Sequence, residues 1–255
     1  MSSSKETFGK TVVFVFAVCL VCAALVSFSA VQLKPLQTAN KLLDQQTKIL
    51  ETAGLLDKAG DDIVATYNKY VEAKMIDLDS GNFIEGNPDL FDERANSRDA
   101  TKSETPKDDI AGVSRRSHDA VVYFVKNDAG EVETVVFPVV GAGLWGLMFG
   151  FVGLEQDFNT IRSLVYAEHK ETPGLGAEIT NPSWKALWPG KKIYDAQGKP
   201  VIRVVKGGAK TGDVYGVDAI SGATLTSNGV TNTLAFWFGE EGYAPFITKQ
   251  KGELN

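Results

Sequence analysis

Apolar and polar positions divide the chain into stretches of different period. From Thr11 to Val31 no charge interrupts a run rich in Val, Phe, Ala and Leu. About 20 such residues cross the ~30 Å hydrocarbon layer as a helix. The run exceeds the apolar core of a cleaved signal peptide, typically about 7–15 residues, so an uncleaved single-pass anchor is expected. Leu42, Leu43, Ile49 and Leu50 recur at helical spacing between Gln37 and Ala53, and Pro35 either starts this helix or bends the exit from the anchor. Ile63 to Met75 reads as a second short helix. Residues 77–118 are acidic, with turn-forming Gly81, Asn82, Gly86, Asn87 and Pro88 and few apolar positions. They predict a loop-rich excursion, serving either as solvated surface or as a docking face for partners.

Beyond residue 118 the pattern becomes strand-like. Ala120–Val125 and Val132–Val139 flank the turn Lys126–Gly130, predicting a hairpin. Leu147–Leu154 and Ile161–Ala167 predict a second hairpin around Gln156–Asn159, and Val201–Lys206 a further strand. Val230, Leu234, Trp237 and Phe238 then fall on one helical face, so a helix starts at or near Thr224. The expected class is α+β: one N-terminal transmembrane helix, then an antiparallel sheet with flanking helices. The boundaries expected are a tail at 1–10, an anchor at 11–31, a helical linker and excursion at 32–118, and the main domain at 119–255.

Composition narrows the chemistry. The net charge of −6 gives no footprint for nucleic acid. Cys19 and Cys22 both lie in the apolar run, so the rest of the chain has no thiols for a disulfide or a metal cluster. His118 and His169 are the only histidines and lack ligand-like spacing. No metal site and no acid–base pair is expected. Lysines flank the anchor on both sides, Lys5 and Lys10 before it and Lys34, Lys41 and Lys48 after it, so charge gives no clear orientation. A short N-terminal tail before a large acidic domain favours N-terminus inside, with the domain in the periplasm.

Three short segments carry the candidate chemistry. Asp218-Ala219-Ile220-Ser221-Gly222-Ala223-Thr224 precedes the last long helical pattern, where free N–H groups and the helix dipole suit a phosphate. On local grounds Ser221 or Thr224 could equally cap the helix. Gly141-Ala142-Gly143-Leu144-Trp145-Gly146 sets a Trp among glycines between strands, either a core residue or a stacking platform. Glu171-Thr172-Pro173-Gly174-Leu175-Gly176 is a rigid turn followed by exposed backbone. Lys206 precedes two glycines and either stands near a phosphate or is a solvated surface charge.

Asp-x-x-Ser-Gly-Ala-Thr resembles the flavinylation motif of the FMN-binding domain family of bacterial respiratory complexes. With the other two segments in the same order behind an anchor, the chain is similar to the family of C subunits of sodium-translocating NADH:quinone reductases. The resemblance implies one FMN per chain, joined by a phosphoester to Thr224 by a flavin transferase that uses FAD. Asp218 matches the motif's leading acid, with Ser221, Gly222 and Ala223 completing the attachment loop. It implies that Leu144, Trp145, Thr172, Leu175 and Gly176 line the flavin, with Lys206 toward the phosphate. Glu171 and Glu178 are the weaker candidates, since an anion beside an anionic cofactor is unfavourable. It further implies an electron-transfer role in a six-subunit inner-membrane complex, embedded in lipid and relaying single electrons to FMN on the B subunit. That complex oxidises NADH, reduces ubiquinone and exports sodium. Two alternatives stay open: the G-subunit family of the complex linking ferredoxin and NAD, and an anchored assembly module without redox chemistry.

Overall fold

The computed structural model describes residues 8–253. Their order is α1 (Phe8–Ala53), α2 (Leu56–Ala59), α3 (Ile63–Tyr70), β1 (Val71–Asp77), β2 (Phe83–Ile84), α4 (Glu93–Arg98), β3 (Ser103–Glu104), β4 (Arg116–Ser117), β5 (Asp119–Lys126), β6 (Val132–Ala142), β7 (Leu147–Glu155) and β8 (Ile161–Glu168). Then follow α5 (Pro182–Lys185), β9 (Arg203–Val205), β10 (Gly216–Asp218), α6 (Thr224–Trp237) and α7 (Ala244–Glu253). The expected tail, residues 1–10, lies outside the described residues except for Phe8, Gly9 and Lys10. The chain divides into two units, 1–44 and 45–255.

In the first unit the described residues, 8–44, are helical and exposed. Pro35 is expected either to start the linker helix or to bend the exit from the anchor; it starts no helix, because α1 runs through it from Phe8 to Ala53. The reason is local. No glycine occurs between Lys10 and Ala53. Pro35 forgoes one backbone hydrogen bond and crowds the preceding turn, and the helix continues on both sides of it. The helix is long and apolar enough to cross a membrane.

The second unit is built on a six-stranded antiparallel sheet, ordered β2-β1-β5-β6-β7-β8. Both faces are buried. Along β5, Ala120, Val122 and Phe124 enter one core and Val121, Tyr123 and Val125 the other. That is why the strand reads as a continuous apolar run rather than an alternating one. The larger core gathers Phe238, Tyr243 and Phe246 around Phe137, with Trp237 against Tyr243. The smaller one is covered by Ile49, Ala53 and Tyr70. Pro138 is tolerated in an interior strand because β6 has passed its last β5 partner, Val136.

Two expectations change. Residues 63–75 are not one helix: the helix stops at Tyr70, and β1 pairs with β5 from Val71↔Val125 to Asp77↔Asp119. The strand signal is the alternation of Val71, Ala73 and Met75 with Glu72 and Lys74. The strand at Val201–Lys206 shrinks to β9 and pairs in parallel with β10 in a separate small sheet. The two predicted hairpins occur as β5–β6 and β7–β8, with β6 also pairing along β7 to complete a meander.

The excursion is fastened at Arg116. Its guanidinium is buried, with Nη2 on Asp79 and Glu104 and Nη1 donating to the Glu241 carbonyl at 2.8 Å. Asp79, Glu104 and His118 have the proximity of a metal-ligand set; Asp79 and Glu104 engage this guanidinium, and His118 Nδ1 lies 3.7 Å from Asp79 Oδ2.

Candidate functional site

The meander decides which loops meet. The β6–β7 turn and the end of β8 lie at one end of the sheet, since Phe149 pairs with Glu168 and Ala142 with Leu147. Helix α6 is drawn to the same end because glycine removes the side chains that would hold it off. A Cβ on Gly229 would strike the Ala142 carbonyl, and one on Gly141 would strike Thr233 Oγ1. The three candidate segments therefore converge.

The first is a tight turn in which the Gly143 N–H donates to the Gly146 carbonyl at 2.8 Å. Leu144 and Trp145 stand at its tip, 49% and 64% exposed. This resolves the choice over Trp145, which is not a core residue. The second segment follows β8. Leu175 and Ala177 N–H groups both donate to the Thr172 carbonyl at 3.1 Å, closing a turn through Gly174 at φ +73°. Thr172 and Leu175 are exposed and Gly176 is buried.

The third segment leads into α6. Ala223 is the residue before the helix and Thr224 the first residue within it, and no side chain caps the start. The capping alternative for Thr224 and Ser221 is thereby set aside. Thr224 and Ser221 are exposed, and Ala223 is buried. The first-turn N–H groups of a helix have no intrahelical acceptor. Gly222, at φ +74°, lies against Leu175: a Cβ there would come within 2.9 Å of Leu175 Cδ2. That contact joins the second and third segments.

Asp218 organises the approach. Its Oδ1 accepts the Ala209 N–H at 2.7 Å, and its carbonyl accepts Trp184 Nε1–H at 2.9 Å. The Ala219 N–H donates to the Val205 carbonyl at 3.1 Å, which sets Lys206 alongside. Lys206 is exposed and makes no ion pair among the described residues.

Glu171 is expected to be a weaker candidate for contact with the flavin, and in the structure it lies between the converging segments. It is buried, its Oε1 accepts the Trp145 N–H at 3.0 Å, and its Oε2 accepts the hydroxyl of Thr226. One carboxylate thus touches all three segments. Composition offers no signal for this, because the contact depends on a strand pairing and a helix seat distant in sequence.

The surface so formed is an uncapped helix N-terminus next to large exposed apolar side chains: Leu144, Trp145, Leu175 and Leu225. These residues fit FMN. The apolar side chains offer cover to a planar aromatic ring. The helix start suits a phosphate.

Comparison with known proteins agrees. The FMN-binding domain family matches residues 143–238. The C subunit of the Na(+)-translocating NADH-quinone reductase of Vibrio alginolyticus is 47% identical, covering 100% of both chains. Its Yersinia pestis counterpart is 43% identical over 96% of this chain and 94% of its own. Among solved structures, Shewanella oneidensis NqrC superposes with a TM-score of 0.81 at 42% identity, covering 84% of this chain and 99% of that one. The C subunit of the Parabacteroides distasonis reductase gives 0.68 at 30% identity, over 85% and 97%. With its anchor-length helix, its meander and an FMN-binding domain spanning the converged loops, the chain belongs to the family of C subunits of the Na(+)-translocating NADH-quinone reductase.

Proposed function

We propose that this chain is the electron-transfer C subunit of a sodium-exporting NADH:ubiquinone reductase, with FMN joined covalently to Thr224. The observation that carries the reading is the exposed Thr224 on an uncapped helix start beside Leu144, Trp145, Leu175 and Leu225. When bound, FMN supplies reversible one-electron redox chemistry, which the protein's own side chains lack. Thr224 Oγ is the acceptor in maturation: its bond to phosphorus forms as the pyrophosphate bond of FAD breaks and AMP leaves. A flavin transferase is the partner for that step.

The remaining residues bind and orient. Gly222 and Ala223 let the backbone approach the phosphate, Ser221 offers a hydroxyl, and Lys206 a positive charge. Asp218 holds the loop that presents them. Leu144, Trp145 and Leu175 exclude water from the ring, and Thr172 and Gly176 shape the floor. The expected carrier stoichiometry is one FMN per chain. The 11–31 stretch anchors the chain in the inner-membrane lipid, with the FMN domain facing the periplasm and delivering electrons to FMN on the B subunit. Full-length similarity to C subunits favours this assembly over the ferredoxin-linked G subunit. A module without redox chemistry has no support from a chain that matches an FMN-binding family.

The test is Thr224→Val in chain matured with its transferase. The variant is expected to lose the flavin-fluorescent band on a denaturing gel and the FMN mass on the peptide spanning residue 224. Covalent flavin persisting at wild-type level would overturn the assignment.

A further inference from the structure

Among the described residues, Glu171 is the one acidic side chain in the buried set, and it makes no ion pair. The only hydrogen-bond partners of its side chain among the described residues are two neutral donors, the Trp145 N–H and the Thr226 hydroxyl. Burying a carboxylate without a counter-ion is costly, and a glutamine or an apolar residue would fill the same space at lower cost. The surroundings are shaped to admit it. A Cβ on Gly143 would lie 2.5 Å from Glu171 Oε1, and one on Gly176 2.5 Å from Oε2. Two glycines of two different loops thus clear space around one charge.

The position of the charge has an electrostatic consequence. Adding an electron near a fixed anion costs Coulomb energy, and that cost grows where water is excluded. The donors hold the carboxylate in place without cancelling its charge. We propose that Glu171 is the positioning residue of this site: it braces the Trp145 turn to helix α6 and holds the reduction potential of the bound flavin low. This rests on the FMN reading above.

Two variants of the full chain, matured with the flavin transferase, separate brace from charge. Glu171→Gln keeps the length and one acceptor but removes the charge. It is expected to carry covalent flavin and to show a midpoint potential raised by about 59 mV, a tenfold shift in a one-electron equilibrium. Glu171→Asp keeps the charge but cannot reach both donors. It is expected to lose at least half of its flavin incorporation while the loaded fraction keeps the wild-type potential. Incorporation is read by mass spectrometry and potential by spectroelectrochemical titration. An unchanged potential in Glu171→Gln, or full incorporation or a raised potential in Glu171→Asp, overturns the proposal. Should Glu171→Gln not fold, the loaded fraction of Glu171→Met, which also removes the charge, is titrated in its place, and an unchanged potential there overturns the proposal. Wild-type chain without covalent flavin would instead sink the FMN reading itself.

Discussion

Glu171 and Glu93 are both set back from water, and they differ in their hydrogen-bond partners. Glu171 has two donors on its oxygens. Glu93, half-buried at the start of α4, has no side-chain hydrogen bond among the described residues. Burial, aided by the charge of Asp92 and opposed by Arg94, pushes its carboxyl up to about 7. The folded protein therefore holds this proton more tightly than the unfolded chain does. Stability from it is fully present below the ordinary carboxyl range near 4.5 and is lost as pH rises through 7. Thermal melts from pH 5 to pH 7.5 are expected to show a falling Tm, and Glu93→Gln to flatten that fall. Parallel pH profiles for the two proteins would count against it.

At the scale of elements, the site depends on how the segment before α6 turns. Gly222 occupies left-handed backbone, where a side chain costs about 1–2 kcal/mol. Gly222→Ala is therefore expected to lower Tm by about 2–8 °C and to reduce flavin incorporation, with melts and mass spectrometry as the readouts. A variant with wild-type Tm and loading would show that the turn tolerates other conformations. The elements carrying the motifs are legible in sequence because their cues are local. Val230, Leu234, Trp237 and Phe238 mark α6, and Lys126–Gly130 and Gln156–Asn159 mark the hairpin turns. The fate of Val71–Asp77 is harder to read, since Tyr67 and Tyr70 extend a helical pattern into residues that tertiary pairing claims for the sheet. The contacts of Glu171 are illegible, because no spacing rule links a residue after β8 to Trp145 and Thr226.

For the whole molecule, the chain divides at residue 44/45, and the sheet lies in the unit that begins at Gln45. The sequence pattern suggests a main domain from residue 119, yet β1 forms seven register pairs with β5, from Val71 to Asp77. Chain beginning at Gln45 is expected to fold, with cooperative melting and a CD spectrum of mixed helix and sheet. Chain beginning at Asp119 would expose the β5 edge and strip Ile49, Ala53 and Tyr70 from the smaller core, and is expected to aggregate. A soluble, cooperatively melting product from residue 119 would contradict the role given to β1.

The fastening of Arg116 to the Glu241 carbonyl bears on how distant parts of the domain depend on one another. Glu241 also takes the N–H groups of Lys107 and Asp108 on its carboxylate, and Tyr243 Oη donates to the Pro138 carbonyl at 2.7 Å. These contacts join residues 105 to 134 positions apart, so the excursion and the meander gain these partners only when the segment after α6 is docked. Loosening that segment would therefore free the excursion and one strand of the meander together, which couples two surfaces far apart along the chain.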